Sequence, residues 1–176
     1  MEMYWIASIV FCAVMVTALS FDVVTRRIPN ALVLVGLLSA LVLRSVVGPS
    51  PLLAGFLGAG LALALTFPLF ALRAMGGGDV KLLVAVGAFM GPAGFLPAFV
   101  ASAIAGGVLG VVMAVRRGVV VPVMLSSKDL LVNAATLGRA GERPTLDTPG
   151  AMKVPYGAAI AVGSVIVWFV IGGGTW

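Results

Sequence analysis

Residues 76–115 read GGGDVKLLVAVGAFMGPAGFLPAFVASAIAGGVLGVVMAV, and the uncharged run at residues 82–115 within them decides the fold. This run is too long for one crossing of a bilayer, which needs about 20 residues, and Gly-Pro-Ala-Gly at residues 91–94 divides it. The segment before the division, residues 79–90, would span only about 18 Å as a helix. We therefore expect this helix to begin below the membrane surface, so that residues 76–79 lie in a protein-lined or watery notch.

The composition is that of an integral membrane protein. Of 176 residues, 61% are hydrophobic and 10% are charged, and the mean hydropathy is +1.20, which is too apolar for a water-soluble domain of this size. The chain contains no histidine and a single cysteine, Cys12. These counts exclude a Cys/His zinc site, a disulfide framework and a histidine-dependent triad within one chain. The side chains left for catalysis are the six carboxylates.

Further apolar segments complete the predicted set of membrane helices, one of them with Arg44 near its end. Besides residues 79–90, they are residues 3–21, 31–48, 52–72, 95–115 and 154–171. The first is expected to be a retained helix rather than a signal peptide, because no Lys or Arg precedes it and no small-x-small cleavage site follows it. We predict an all-α, polytopic membrane protein of about six transmembrane helices, which forms a single domain over residues 1–176.

Two connections between these helices have recognisable patterns. Gly-Pro-Ser-Pro at residues 48–51 predicts a turn between the second and third helices. The long connection, residues 116–153, contains Ser-Ser-Lys-Asp at residues 126–129, followed by apolar side chains at helical spacing. That pattern predicts a short amphipathic helix lying in the membrane interface.

The net charge of +5 indicates orientation in the bilayer rather than nucleic-acid binding. All eleven Lys and Arg residues except Arg44 lie in the connections at residues 22–30, 73–81 and 116–153. Because positive residues concentrate in cytoplasmic connections, we predict that these three face the cytoplasm and that both termini lie outside. Arg44 is expected to extend its side chain to the outer membrane interface. The basic connections are expected to contact anionic lipids.

Two of the six carboxylates differ from the others in position. Asp22 and Asp79 each lie at the cytoplasmic end of a predicted span, whereas the other four lie at the amino terminus or in the long connection: Glu2, Asp129, Glu142 and Asp147. A carboxylate at membrane depth is costly unless it is paired or faces a wet cavity, so a functional role is the default hypothesis. The structural alternatives are an ion pair between Asp22 and Arg26, four residues on, and a carboxylate that stabilises a helix N-terminus at Asp79.

Gly76, Gly77 and Gly78 directly precede Asp79. Glycine permits positive φ and close approach of another backbone, so this segment can turn tightly into the helix and leave room for an extended peptide beside the carboxylate. Small residues also mediate helix–helix contacts in membranes, which is the structural alternative. Because Asp79 and then Lys81 follow at the start of a short span, the cluster favours an active site.

These motifs resemble those of the type IV prepilin peptidases, a family of GxGD aspartyl proteases. Residues 76–81, GGGDVK, match the GxGDxK form of the family signature, residues 22–30, DVVTRRIPN, resemble its first-aspartate motif, and residues 153–161, KVPYGAAIA, resemble the Pro-aromatic-Gly start of its last span. The resemblance implies that Asp22 and Asp79 are catalytic. It implies an active-site motif of Gly76, Gly77, Gly78 and Lys81, and supporting roles for Arg26, Pro29, Asn30, Pro155, Tyr156 and Gly157.

The resemblance implies a peptidase of the bacterial inner membrane. It implies that a short basic leader is cleaved from prepilin or pseudopilin substrates on the cytoplasmic side, just after a glycine, with no metal or other cofactor. The small size of the chain resembles the peptidase-only branch associated with Flp/Tad pili. Larger members carry paired CxxC motifs and also N-methylate the product; with Cys12 alone, methylation is not expected here. The oligomeric state is left open.

Two carboxylates in a partly dry site are suited to proteolysis by general acid and base catalysis. Both cannot ionise easily, so they share one proton and titrate as a pair. The ionised member takes a proton from water that attacks the scissile carbonyl, and the protonated member donates to the carbonyl oxygen. The sequence does not decide which role belongs to Asp22 and which to Asp79.

Other functions place two acids in a membrane protein. A presenilin-like GxGD intramembrane protease would carry Tyr-Asp and Pro-Ala-Leu, where this chain has Phe21-Asp22 and Val154-Pro155-Tyr156. A small proton-coupled transporter would more often have acids at mid-membrane and inverted repeats, which the sequence lacks. A noncatalytic scaffold of a pilus machine would need neither aspartate.

Overall fold

The computed structural model describes residues 2–116 and 156–171, and the regular secondary structure of these residues is helical. The helices are α1 (Glu2–Thr25), α2 (Asn30–Val47), α3 (Pro49–Ala71), α4 (Gly77–Arg116) and α5 (Tyr156–Val170). In the described part of the chain, α1 to α4 are long and apolar enough to cross a membrane, and α5 is a shorter apolar helix. The predicted all-α membrane fold is therefore confirmed, while six spans and outer termini stay predictions. The interfacial helix predicted within residues 116–153 lies outside the described residues.

Helix α4 is broken at Gly91, inside the division predicted at residues 91–94. Gly91 has φ 68° and ψ 179°, which is not a helical conformation, and positive φ favours glycine because it has no Cβ. Pro92 follows and lacks an N–H to continue the helical hydrogen bonds. The break divides α4 into a first arm, residues 77–90, and a second arm, residues 92–116.

The chain reverses direction at this break. The second arm packs antiparallel to α5, because Gly94 faces Ile171 at one end of the pair while Gly106 faces the ring of Tyr156 at the other. The first arm runs the opposite way, from Asp79 towards Phe89, whose ring meets Phe11 near the start of α1. The end of α1 and the starts of α2, α4 and α5 consequently lie at one end of the bundle, which we call the site end.

Arg44 donates hydrogen bonds to the carbonyl groups that the break leaves without helical donors. The carbonyl of Ala88 would normally accept from the residue four positions on, which is Pro92. Instead, Arg44 Nε donates to the Ala88 oxygen and Nη2 donates to the Phe89 oxygen, both at 2.9 Å. Its Nη1 donates to the oxygen of Pro51 at 2.9 Å. These bonds tie the end of the first arm to α2 and to the start of α3.

The expectation that Arg44 reaches the membrane interface is wrong. Its side chain is 0% exposed, and it lies on the same face of α2 as the buried residues Val33, Gly36 and Ala40. A guanidinium offers several donors in a rigid plane. Because unpaired carbonyls inside an apolar bundle are costly, the side chain is directed inward to them rather than outward to water.

Glycines bring α3 and the first arm of α4 into backbone contact. A Cβ on Gly58 would lie 2.1 Å from the Gly87 oxygen, and one on Gly87 would lie 2.4 Å from the Gly58 oxygen. No larger side chain fits at either position, in keeping with small-residue packing between membrane helices. This close approach fixes the depth at which the first arm, and hence Asp79, sits in the bundle.

Aromatic side chains close the end of the bundle opposite the site end. Phe11 of α1 stacks on Trp168 of α5 with ring centroids 4.5 Å apart, and it meets Phe89 edge-to-face at 5.2 Å. Trp168 Nε1 donates to Ser8 Oγ at 2.9 Å, so its polar atom is satisfied inside the bundle. We call this group of Ser8, Phe11, Phe89 and Trp168 the aromatic cluster.

Two predicted boundaries differ from the structure. Residues 49–51 do not form a turn but begin α3, with proline in its first turn, where a missing N–H costs nothing because that group has no helical partner. Helix α1 continues past residue 21 to Thr25, so Asp22 lies within the helix. The connection between α2 and α3 is consequently reduced to Gly48, which has φ 152°.

Replacing Arg44 with Met should lower the free energy of unfolding by about 2–5 kcal/mol, because each buried carbonyl left unpaired costs roughly 1–3 kcal/mol. Arg44→Lys should recover only part of this loss, since an ammonium lacks the planar set of donors. Thermal and denaturant unfolding of the purified protein in detergent measures the effect. Leu38→Met, on the exposed face of the same helix, is the control. An Arg44→Met protein as stable as this control would contradict the role of Arg44.

Candidate active site

Asp22 is presented to the interior by the buried face of α1. The buried residues of this helix recur at helical spacing, and the series ends at Asp22. The carboxylate belongs to a residue only 6% exposed, and its Oδ2 accepts a hydrogen bond from the backbone N–H of Ala158 at 3.0 Å. Ala158 lies in the first turn of α5, where backbone N–H groups have no partner within the helix. Asp22 thus caps a helix that is remote from it in sequence.

Gly157 makes room for this carboxylate. A Cβ on Gly157 would lie 2.9 Å from Asp22 Oδ2 and 3.0 Å from Cγ. Such distances are shorter than ordinary van der Waals contact, so a side chain at position 157 would displace the carboxylate. Gly157, a predicted supporting residue, is therefore required by the packing of Asp22 on α5.

Asp79 lies in the first turn of α4 and caps that turn. The Gly76 oxygen accepts hydrogen bonds from the N–H groups of Asp79 at 3.1 Å and Val80 at 3.2 Å. In return, the backbone N–H of Gly76 bonds to the Asp79 carboxylate. The bond from Gly76 to the carboxylate is one half of a capping box, in which the third residue of a helix bonds back to the capping residue; Gly76 has no side chain for the other half. The local alternative predicted for Asp79, a carboxylate at a helix N-terminus, is confirmed.

The two carboxylates meet at the site end. Asp22 and Asp79 are close enough to interact electrostatically, and Asp79 also interacts with Tyr156, the first residue of α5. Asp22 is buried, while Asp79 and Tyr156 are half-buried. A pair of acids in such surroundings can hold a proton on one member and not on the other, which general acid and base catalysis requires.

The three glycines before Asp79 act through close packing. Positive φ among the described glycines occurs at Gly48 and Gly91, so residues 76–78 do not use the positive φ that glycine permits. Instead, Gly77 faces the ring of Phe70 and Gly78 faces Ile28. The segment accordingly fits between the end of α3 and the connection from α1 to α2.

Lys81 joins the start of α4 to the start of α2. Its Nζ donates to Oδ1 of Asn30 at 2.9 Å, and Asn30 is the first residue of α2, preceded by Pro29 as its N-cap. The two aspartate motifs predicted from sequence are therefore connected by a direct hydrogen bond. Lys81, Pro29 and Asn30 lie at the site end.

Arg26 terminates α1 rather than pairing with Asp22. Its backbone has φ 53°, and its N–H donates to the Asp22 carbonyl oxygen at 2.9 Å. The Arg26 side chain is exposed whereas Asp22 is buried, and the structure has no ion pair between these two residues. The ion-pair alternative is therefore wrong, because the left-handed turn ends the helical spacing on which it depended. Pro155, another predicted supporting residue, lies outside the described residues.

Ile28 is the residue of the site that the sequence analysis did not single out. Its side chain is half-buried and packs against the hydrophobic core. It contacts Gly78 on one side and Gly157 on the other. The available signal was its place inside the motif at residues 22–30, but no local pattern shows which distant backbones it separates.

The described residues contain no group of three or more His, Cys, Asp or Glu side chains placed to hold a metal ion. The chemistry that the described side chains themselves offer at the site end is proton transfer by Asp22 and Asp79, with the phenol of Tyr156 near Asp79.

Comparison with known families gives one match. Residues 9–111 match the model of the type IV leader peptidase family. The matched region contains both aspartates and the glycines before Asp79, while the first turn of α5 lies beyond it. No curated protein and no solved structure matches the chain significantly.

A double-mutant cycle between Lys81→Met and Asn30→Ala should show a coupling energy of about 0.5–1.5 kcal/mol, the usual net value of one hydrogen bond. The free energies of unfolding of the two single variants, the double variant and the wild type in detergent give this value. Effects that add within about 0.3 kcal/mol would mean that the two side chains act independently.

Gly106→Ala and Gly107→Ala form a matched pair that tests the position of Tyr156. A Cβ on Gly106 would lie 2.5 Å from Tyr156 Cε2, whereas one on Gly107 would have nothing within 4 Å. We expect Gly106→Ala to destabilise by roughly 1–3 kcal/mol through overpacking. Gly107→Ala should stabilise by up to about 1 kcal/mol, because alanine favours helix. Equal effects in thermal unfolding would show that the Tyr156 ring does not lie against α4.

Proposed function

Since the chain belongs to the type IV leader peptidase family, whose members are aspartic-type peptidases, we propose that it is the endopeptidase that removes the basic leader from Flp-type prepilins. The proposed bond is the one just after a glycine, at the cytoplasmic face of the bacterial inner membrane. The chain is a membrane protein by its apolar helices. The proposed partners are prepilin or pseudopilin substrates and membrane lipids.

The observation that carries the proposal is the meeting of Asp22 and Asp79 at one end of an apolar bundle. The two carboxylates come from helices distant in sequence, yet they interact electrostatically. Each accepts a backbone N–H at the start of a helix, Asp22 from Ala158 and Asp79 from Gly76. Such bonds fix the orientation of an acid without removing its capacity to exchange a proton through the remaining oxygen lone pairs.

The proposed reaction uses one ionised and one protonated carboxyl. The ionised carboxyl takes a proton from water as the water oxygen bonds to the scissile carbonyl carbon, and the other carboxyl gives its proton to the carbonyl oxygen. The resulting gem-diol then collapses: the C–N bond breaks, the leaving nitrogen receives a proton, and a hydroxyl proton returns to a carboxylate. One water is consumed, and the pair regains the single proton with which it began.

Charge supports the proposed side of the membrane. Arg26, Arg27, Arg73 and Lys81 lie in or beside the connections at the site end, and positive residues concentrate on the cytoplasmic side of membrane proteins. The leader is itself basic, so these cations are proposed to orient the enzyme and to contact anionic lipids rather than to attract the substrate.

Cleavage between the carboxyls requires a substrate that is extended at the cleaved bond. Backbone without a side chain lies beside each carboxyl, Gly76 beside Asp79 and Gly157 beside Asp22. An extended peptide exposes its carbonyl to attack, whereas a helix occupies it in hydrogen bonding. A transmembrane pilin helix therefore has to be unwound or end where it meets the carboxyls. The single cysteine, Cys12, limits the proposal to peptidase activity, without the N-methylation that accompanies paired CxxC motifs.

Asp22→Asn and Asp79→Asn should each lower the rate of leader removal by at least about 10²-fold, the lower range for loss of a general acid or base. Asparagine keeps an oxygen that accepts the same backbone N–H, so both variants should remain folded. The assay is coexpression with a Flp-type prepilin, followed by a gel shift for leader loss. Purified enzyme and prepilin in detergent then give the rate.

Asp129→Asn makes the same chemical change at another acid of the chain and is expected to leave the rate unchanged. Thermal unfolding in detergent establishes that each variant is folded. Full leader removal by both folded active-site variants would overturn the aspartyl-protease proposal. Failure of the wild type on prepilins, combined with cleavage of another membrane substrate, would overturn the proposed substrate but not the peptidase activity.

A further inference from the structure

The connection between α1 and α2 carries one apolar side chain, Ile28, into the site end. The neighbouring residues Arg26 and Arg27 are exposed, whereas Ile28 is half-buried and packs against the hydrophobic core. An apolar side chain in a short polar connection stabilises the fold only by what it contacts. Its contacts therefore indicate its role.

Ile28 lies between the two backbone segments that hold the aspartates. Its Cδ1 is 2.9 Å from the position that a Cβ on Gly157 would occupy, and its Cβ is 3.5 Å from the corresponding position on Gly78. Gly157 directly precedes Ala158, whose N–H bonds to Asp22. Gly78 directly precedes Asp79. One side chain thus faces both the residue next to Ala158, the donor to the Asp22 carboxyl, and the residue next to Asp79 itself.

The two facing residues have no side chains of their own, so the width of this gap depends on Ile28. If the Ile28 side chain were shortened, the packing that separates the segments would be lost, and close-packed interiors respond to the loss of even one methylene. The segments would then move together or become loosely held. Either change alters the distance between the carboxyls, on which both their shared proton and their alignment with a peptide depend.

We propose that Ile28 is a positioning residue that sets the separation of the Asp22 and Asp79 carboxyls for peptide-bond cleavage. It acts through the backbones of Gly78 and Gly157 rather than by touching the reacting atoms. The proposal rests on the proposed peptidase function and adds to it a residue that the aspartate chemistry alone does not require.

The kinetic test uses graded shortening of the side chain. Ile28→Val removes only Cδ1, the atom against Gly157, and should lower kcat about tenfold; Ile28→Ala should lower it about 10²-fold, as expected for a misplacement of about 1 Å. KM for the prepilin should change less than twofold.

The pH dependence is a second readout. The titratable groups facing the pair in the described structure are the two aspartates themselves and Tyr156. Because the interaction between the carboxyls depends on their separation, the distance between the acid and alkaline limbs of the pH–rate profile should change.

Leu37→Ala is the matched control. Leu37 is a half-buried residue of α2 that packs against the same core, and its replacement by alanine removes as many carbon atoms as Ile28→Ala. This control should lose comparable stability and keep the wild-type kcat and pH–rate profile. If Ile28→Ala and Ile28→Val also keep the wild-type kcat and profile, Ile28 is a packing residue only and the proposal is overturned. Ile28→Val decides the matter if Ile28→Ala does not fold.

A second measurement tests the contact without using peptidase activity. Gly157→Ala should destabilise the wild type, because its Cβ would meet both Ile28 Cδ1 and the Asp22 carboxyl. It should destabilise the Ile28→Val background less, because only the contact with Asp22 remains there. Equal losses of unfolding free energy in both backgrounds would overturn the contact and the proposal with it. A wild type that processes no prepilin would overturn the proposed function and hence the catalytic role of Ile28, while a coupled cycle would show that the contact itself exists.

Discussion

The arrangement of the site end depends on how the backbone carbonyls freed by the break in α4 are hydrogen-bonded inside an apolar bundle. The break at Gly91 and Pro92 reverses the chain and leaves carbonyls without helical donors, a cost that membrane proteins rarely tolerate. Arg44 supplies the donors to Ala88 and Phe89. These hydrogen bonds allow the first arm, which is too short to span the bilayer, to terminate inside the bundle. Its opposite end carries Asp79 in the first turn of α4.

The same rule, that buried backbone groups must be paired, also organises the two acids. Asp22 supplies an acceptor for the first turn of α5, and Asp79 supplies one for Gly76 at the start of α4. Helix N-termini favour such acceptors because their N–H groups lack partners. The side chains suited to proton transfer are therefore also the ones that order the helix starts around them. The aromatic cluster at the opposite end holds α1, α4 and α5 together through ring packing and through the hydrogen bond from Trp168 Nε1 to Ser8 Oγ.

The sequence predicts those features that local pattern and charge determine. The long uncharged run with Gly-Pro at its middle predicts the break, and the distribution of basic residues brings Asp22 and Asp79 to one end. The features it misses are long-range. Nothing local to Arg44 indicates that its guanidinium meets carbonyls freed by Pro92, and a basic residue near a helix end ordinarily reaches for the interface. Likewise, no local pattern distinguishes Ile28 from other apolar residues, because its position against Gly157 of α5 depends on the tertiary fold.

The bond from Ala158 to Asp22 bears on inhibitor chemistry. Oδ2 of Asp22 already accepts a backbone N–H, and a ligand that displaced this N–H would leave an amide unpaired in an apolar environment, at a cost of roughly 1–3 kcal/mol. A hydroxyl-based transition-state mimic is therefore best directed to Oδ1.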